Sequence, residues 1–331
     1  MIAAMCVSLA ACGSTDTEEQ VDSAQPMSEQ LTVASTTLNP ETMMKVILER
    51  GLETSPPTWS GTAPFCQGAC EPNQHQYFSD RDGDGQRCQL GEKKLCGSVP
   101  EYRFKQTSWS GTAFACEGAC PAGTVEIAKG SGGGGQRCWW GWKKFCAIPA
   151  GGDPDCAIEV LGRHLGYIDK KELGHNPTPE GWRLLKYGGK KLGREAFREC
   201  GNKPIVIDIG GEGPVEDPSK PQRFGSLDAI NMNVKYNNHL GKPIENWFAA
   251  DGSDLPLADH TADIVIVQNT FIPGFLPEVT RVLAKQGTIL LTGDNWTVDE
   301  WREKIAPEIA GKTVIFPCYG NYACAVIQAY N

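Results

Sequence analysis

Residues 205–213, IVIDIGGEG, decide the fold. The run 205–209 is apolar apart from Asp208, with apolar side chains at both odd and even positions. A strand of that kind is buried on both faces, as in a parallel sheet covered on each side. It passes directly into the glycine loop Gly210-Gly211-Glu212-Gly213.

Working outward, short apolar segments alternate with helical ones. Asp228-Ala229-Ile230-Asn231 is strand-like, and Trp247–Ala250 leads into Asp251-Gly252. Residues 264–267, IVIV, form a second buried strand and end at Gln268-Asn269. The spacing of Val279, Val282 and Leu283 predicts a helix from about Pro277 to Lys285, with the strand TILLTG after Gly287. Thr297 and Glu300 form a capping box ahead of Trp301. Thr313–Phe316 and Ala323–Ala329, joined by Pro317–Asn321, predict a closing hairpin. Strands alternating with helices mean an α/β fold, a doubly wound, mostly parallel sheet, assigned to residues 150–331.

Over about 200–331 this order resembles the class I AdoMet-dependent methyltransferases, a Rossmann-like fold. VIDIGGEG is similar to their first motif, FAADGSDLPLADHTADIVIVQNT to their third and fourth, and EVTRVLAKQGTILLTG to the helix-turn-strand that follows. The resemblance implies S-adenosyl-L-methionine as cofactor and assigns roles by position. Gly210, Gly211 and Gly213 let backbone approach the methionine part, and Asp208 orients the loop and the ligand amine. Asn231 stands where the family places an acid on the ribose. Asp251, followed by Gly252, accepts from the adenine amino group, and Gln268 and Asn269 lie where acceptor meets methyl. Two departures are visible. Glu212 puts a negative charge in the loop, and Pro214, Pro218 and Pro221 break the stretch where the family has a helix. A dinucleotide site fits less well, because Glu216 stands at the third glycine position. No catalytic residue, methyl acceptor or metal ligand set is identified, and the histidines are scattered.

Upstream lies a duplication with a period of 50. Trp59–Cys96 and Trp109–Cys146 share 18 of 38 positions. Cys66, Cys70, Cys88 and Cys96 correspond to Cys116, Cys120, Cys138 and Cys146, giving cysteine-rich repeats at 58–97 and 108–147. Modules this small need disulfides or a metal. The C-x3-C, x17, C-x7-C spacing lacks the paired knuckles of zinc sites, so disulfides are expected, with connectivity open. Asp80, Asp82 and Asp84 have calcium-loop spacing, but the second repeat has Gly130, Gly132 and Gly134 there, so a solvated turn is expected. Trp139, Trp140 and Trp142 replace Gln89, Leu90 and Glu92 of the first repeat. They read as a glycan- or protein-binding face, or as the module's own core or its contact with the next domain.

The run 2–11 ends in Leu9-Ala10-Ala11-Cys12, which resembles a bacterial lipobox. It implies a signal peptide over 1–12, a lipid on Cys12 and a protein held at the cell envelope or outside it. Residues 13–57 read as an acidic tether with a short helix, whose stripe Met43, Met44, Ile47 and Leu48 is expected to pack on a neighbouring domain. In an exported protein Cys156–Cys200 and Cys318–Cys324 are expected to pair; in a domain of cytoplasmic origin they are buried thiols. The net charge of −9 argues against a general nucleic-acid binder. Two functions follow: an exported lipoprotein with a methyltransferase-like domain, or a non-enzymatic surface binding protein whose repeats hold a glycan or protein on a degenerate α/β scaffold.

Overall fold

Helix α1 (Pro40–Thr54) turns its apolar stripe into two different cores. Met44 and Ile47 pack with strand residues of the C-terminal sheet, and Leu48 and Leu52 with residues of the repeats. The stripe expected to dock on one neighbour therefore joins two, and part of the acidic tether belongs to the folded body. The structure is a computed structural model, and it describes residues 40–166, 190–213, 228–268, 273–293, 299–301, 303, 312–319 and 322–329. Cys12 and the lipobox, Asn269, the three loop prolines and Thr297 of the capping box lie outside the described residues.

Each repeat is a four-stranded sheet. The first contains β1 (Thr58–Ser60), β2 (Phe65–Gln67), β3 (His75–Asp80) and β4 (Leu90–Gly97). The second contains β5 (Phe104–Ser110), β6 (Ala115–Glu117), β7 (Val125–Gly130) and β8 (Trp140–Pro149). In both, the last strand pairs antiparallel with the first and third and parallel with the second. Disulfides Cys66–Cys88 and Cys70–Cys96 recur as Cys116–Cys138 and Cys120–Cys146. The repeats share one core, formed by Leu95, Val99, Val125, Ile127, Phe145 and Ala147 with Leu48 and Leu52 of α1.

The aspartates of the first repeat meet the glycines of the second. Asp80 accepts from the N–H of Asp82 at 2.6 Å through Oδ1, and from the N–H of Gly133 at 3.0 Å through Oδ2. A Cβ on Gly132 would stand 2.5 Å from that of Asp82, so the aspartate turn leaves room only for glycine opposite. The buried Lys93 ammonium donates to the carbonyls of Asp82 and Asp84. Lys143 does the same for Gly133 and Gln136, at 2.9 and 2.7 Å. The solvated turn expected at Asp80–Asp84 is instead half-buried, and each turn carries an internal cation.

The C-terminal domain begins at α2 (Pro154–Leu165), where Asp153 caps the Cys156 N–H and Pro154 starts the first turn. Cys156–Cys200 ties α2 to the 3-10 turn Arg194–Cys200. The sheet contains β9 (Val206–Ile209), β10 (Ile230–Asn233), β11 (Trp247–Ala249), β12 (Ala262–Gln268), β13 (Leu283–Gly293), β14 (Lys312–Tyr319) and β15 (Tyr322–Gln328). Their order is β11-β10-β9-β12-β13-β15-β14. The first five are parallel, and the final hairpin runs antiparallel. Cys324 is disulfide-bonded, while the side chain of Cys318 lies outside the described residues.

Alternation along the strands sends side chains to two faces. One face, with Ile207, Ile209, Met232, Val265 and Ile289, is covered by α2, the Arg194–Cys200 turn and α3 (Leu276–Val282). The other, with Val206, Ile264, Ile266, Leu290 and Val326, receives Met44 and Ile47 of α1. A helix from the far end of the sequence thus covers a face that doubly wound folds cover with crossover helices. The expected helix to Lys285 ends sooner, at Val282. Leu283 is already extended and pairs with Ala262, so sheet pairing takes the residues that helical spacing had claimed.

The segment that links the two repeats is fastened to the C-terminal domain by Asp263. Its carboxylate accepts from Tyr102 Oη at 2.7 Å, Arg194 at 2.5 Å and the Ile205 N–H at 2.7 Å. Arg103 is buried beside it and donates to the Asp263 carbonyl at 3.4 Å.

Candidate functional site

The order in which successive strands are added reverses between β9 and β12, since β10 and β11 lie to one side and β12 and β13 to the other. Open α/β sheets take ligands beyond the carboxyl ends of the strands at such a switch point. Asp208 on β9 and Gln268 on β12 meet there. Gln268 Nε2 donates to Asp208 Oδ2 at 2.5 Å.

Asp208 is fully buried, and its Oδ1 has no hydrogen-bond partner. Burial raises its pKa to about 8, opposed by the Gln268 hydrogen bond and reinforced by the Glu212 carboxylate. Asn231 is its register neighbour on β10 and is likewise buried. Asn231 Nδ2 donates to the Glu245 carbonyl at 2.7 Å, and its Oδ1 is unpaired. Two adjacent strands therefore hold, at paired positions, two buried side-chain oxygens without hydrogen-bond partners, a costly arrangement.

The glycine loop closes over them. A Cβ on Gly211 would lie 2.4 Å from Asn231 Oδ1 and 2.6 Å from Asp208 Cγ, so only glycine fits. The Gly210 N–H donates to Met232 O at 2.9 Å, and Asn233 Nδ2 to Gly211 O at 3.1 Å, which lashes the loop to β10. Gly210 and Gly213 have positive φ, at 73° and 69°. Glu212 contacts His239 Nδ1, so the loop's own acid is engaged by an imidazole.

Asp208, Gly210, Gly211, Asn231 and Gln268 thus converge. Asp251 and Gly252 follow β11, one strand further out. Asp251 Oδ1 accepts from Ser253 N–H at 2.9 Å and Oγ at 2.8 Å, capping its own turn. The Phe275 ring lies against Gly252, 2.6 Å from where a Cβ would be. Sequence reading did not single out Asn233, His239, Glu245 or Phe275. Asn233 was accessible by period-two spacing from Asn231; His239 and Glu245 act from loops, and Phe275 from a 3-10 turn, that no motif marks. A cleft of ≈ 270 Å³, lined by Asp153, Arg194, Lys203 and Asp228 among others, opens at the amino ends of β9 and β10. Among the described residues, no group of three or more His, Cys, Asp or Glu is placed to hold a metal, and no helix is long and apolar enough to cross a membrane.

No protein-family model matches the chain, and no curated protein matches it. Solved structures that it resembles are methyltransferases. A T. thermophilus 16S rRNA methyltransferase in complex with AdoMet and guanosine is 16% identical over 26% of this chain and 24% of that one, with a TM-score of 0.23. A possible histamine N-methyltransferase from Thermotoga maritima is 11% identical over 38% and 83%, with a TM-score of 0.29. A SAM-dependent methyltransferase from Aquifex aeolicus is 17% identical over 54% and 99%, with a TM-score of 0.27. This chain spans about a quarter of the T. thermophilus enzyme. The fold class rests on the strand order: the C-terminal domain is Rossmann-like, five parallel strands closed by an antiparallel hairpin.

Proposed function

We propose that the C-terminal domain binds S-adenosyl-L-methionine at the β9–β12 switch point and transfers its methyl group to an acceptor still to be identified. The observation that carries this reading is the pair of buried oxygens without hydrogen-bond partners, Asp208 Oδ1 and Asn231 Oδ1, beneath Gly211. AdoMet offers what they lack, a cationic ammonium and ribose hydroxyls. Asp208 would take the ammonium, Asn231 the ribose and the Asp251 turn the adenine, with Gln268 beside the transferred methyl. The cofactor supplies an electrophilic methyl on a sulfonium; the chain's part is to position it and to neutralise charge. The same reading makes the protein an exported lipoprotein held by a lipid on Cys12. Its supports are the Leu-Ala-Ala-Cys stretch and a repeat region closed by four disulfides.

Calorimetric titration with AdoMet near neutral pH, in two buffers of different ionisation enthalpy, tests the site. A cation beside Asp208 lowers its pKa from about 8, so binding should release up to one proton. Asp208→Asn should abolish that release and weaken binding. Absence of heat at millimolar AdoMet from the folded protein would return the domain to the role of a scaffold.

A further inference from the structure

The second repeat carries four exposed aromatic side chains at one end of its sheet. Phe114 is 53% exposed, Trp139 71%, Trp140 72% and Trp142 45%. They are therefore not the module's core. We propose that they form a binding face for a β-linked polysaccharide.

The first repeat is an internal control. It has the same strand pairings, equivalent disulfides and the same buried lysine, with Pro64, Gln89, Leu90 and Glu92 at the corresponding positions. At that end the first repeat exposes Phe65 and Leu90, at 63% each, but no tryptophan, so the three tryptophans of the second copy are not needed to fold the module and answer to something outside the chain. Large apolar groups left in water without a folding role mark interaction sites.

Three features favour a sugar. All four side chains are aromatic, and Ile148, an exposed aliphatic residue on the same strand, lies near its other end. Phe114 and Trp139 stand 5.0 Å apart at 62°, and Trp139 and Trp140 6.4 Å apart at 80°, so the rings present separate tilted plates rather than one flat apolar patch. The electron-rich face of an indole attracts the C–H face of a pyranose. β-Linked chains with equatorial substituents expose such a face on every residue. Polar groups rim the plates: Glu117 pairs in register with Trp142, and Lys129 lies 5.9 Å from the Trp142 ring. These offer acceptors and donors to hydroxyls. The carboxylate of Glu117 beside the rings disfavours an anionic membrane surface.

The test is retention of the full chain on insoluble cellulose and chitin, with tryptophan fluorescence titrations using cellohexaose and chitohexaose. The informative variant carries Trp139→Gln, Trp140→Leu and Trp142→Glu, the residues with which the first repeat folds. Wild type should be retained on at least one polymer and respond to its oligosaccharide. The triple variant should lose at least about tenfold in affinity, with unchanged circular dichroism and disulfide map. Failure of wild type to bind either polymer, or equal binding by the triple variant, would overturn the proposal. So would tryptophan-dependent partition of the wild type onto phosphatidylserine vesicles in place of the polymers.

Discussion

Asp80 in the first repeat accepts the backbone N–H of Gly133 in the second at 3.0 Å, which joins the two copies at the position where their sequences differ most in charge. The D-x-D-x-D-G of one copy and the glycines of the other are two halves of one contact. Lys93 and Lys143 supply the positive charge that a bound ion would otherwise bring.

Gly132→Asp, which would make the second turn more like the first, should therefore destabilise the protein. The new Cβ would lie 2.5 Å from that of Asp82 and 2.6 Å from Asp80 Oδ1. Overpacking of this kind costs about 1–3 kcal/mol, and the added carboxylate faces two others. Thermal unfolding measures the loss. Wild-type Tm is expected to be the same with calcium or with a chelator; a calcium-dependent rise would contradict the lysine assignment.

Ile47→Ala tests whether α1 belongs to the sheet. Ile47 is fully buried among Val206, Ile264, Leu290 and Val326. Truncation of such a side chain costs about 2–5 kcal/mol. A substitution in a mere tether would cost almost nothing, so a variant with wild-type urea midpoint would remove the helix from the core.

Asp208 imposes a pH dependence whose sign is fixed by its raised pKa. The unfolded carboxyl ionises near its ordinary value of about 3.9, whereas the folded one holds its proton to about 8. Between the two the unfolded chain sheds a proton that the folded chain keeps. The contribution is complete below about pH 4 and lost as pH rises to about 8. Asp208→Asn should match wild type in Tm near pH 4, exceed it near pH 8, and show the gap opening in between. Parallel Tm curves for the two proteins would refute this.

Local pattern made much of the C-terminal fold legible. IVIDI and IVIV are apolar at every parity because both faces of the sheet are covered, and the glycine loop announces the strand's end. Convergence of Asp208 with Gln268 follows from the switch point that those strands define. Long-range matters were hidden. Nothing near Met44 says that its partners lie on strands made from residues 206–326, and period-3.6 spacing placed Leu283 in a helix that sheet pairing ends earlier. Buried oxygens without hydrogen-bond partners are likewise invisible in a sequence, because they depend on what is missing around Asn231 rather than on its neighbours in the chain.

The position of α1 also constrains how the molecule comes into being. It is the first described element to be synthesised, yet it seats on β15, among the last. A growing chain that ends after the repeats can bury Leu48 and Leu52 but not Met44 and Ile47. Met44 and Ile47 must wait, exposed, through synthesis of the repeats and most of the sheet, and contacts of such sequence separation slow folding and lengthen exposure to aggregation. Arrival of the last strands of the sheet, rather than completion of the repeats, is the event that seals the amino-terminal half of this helix.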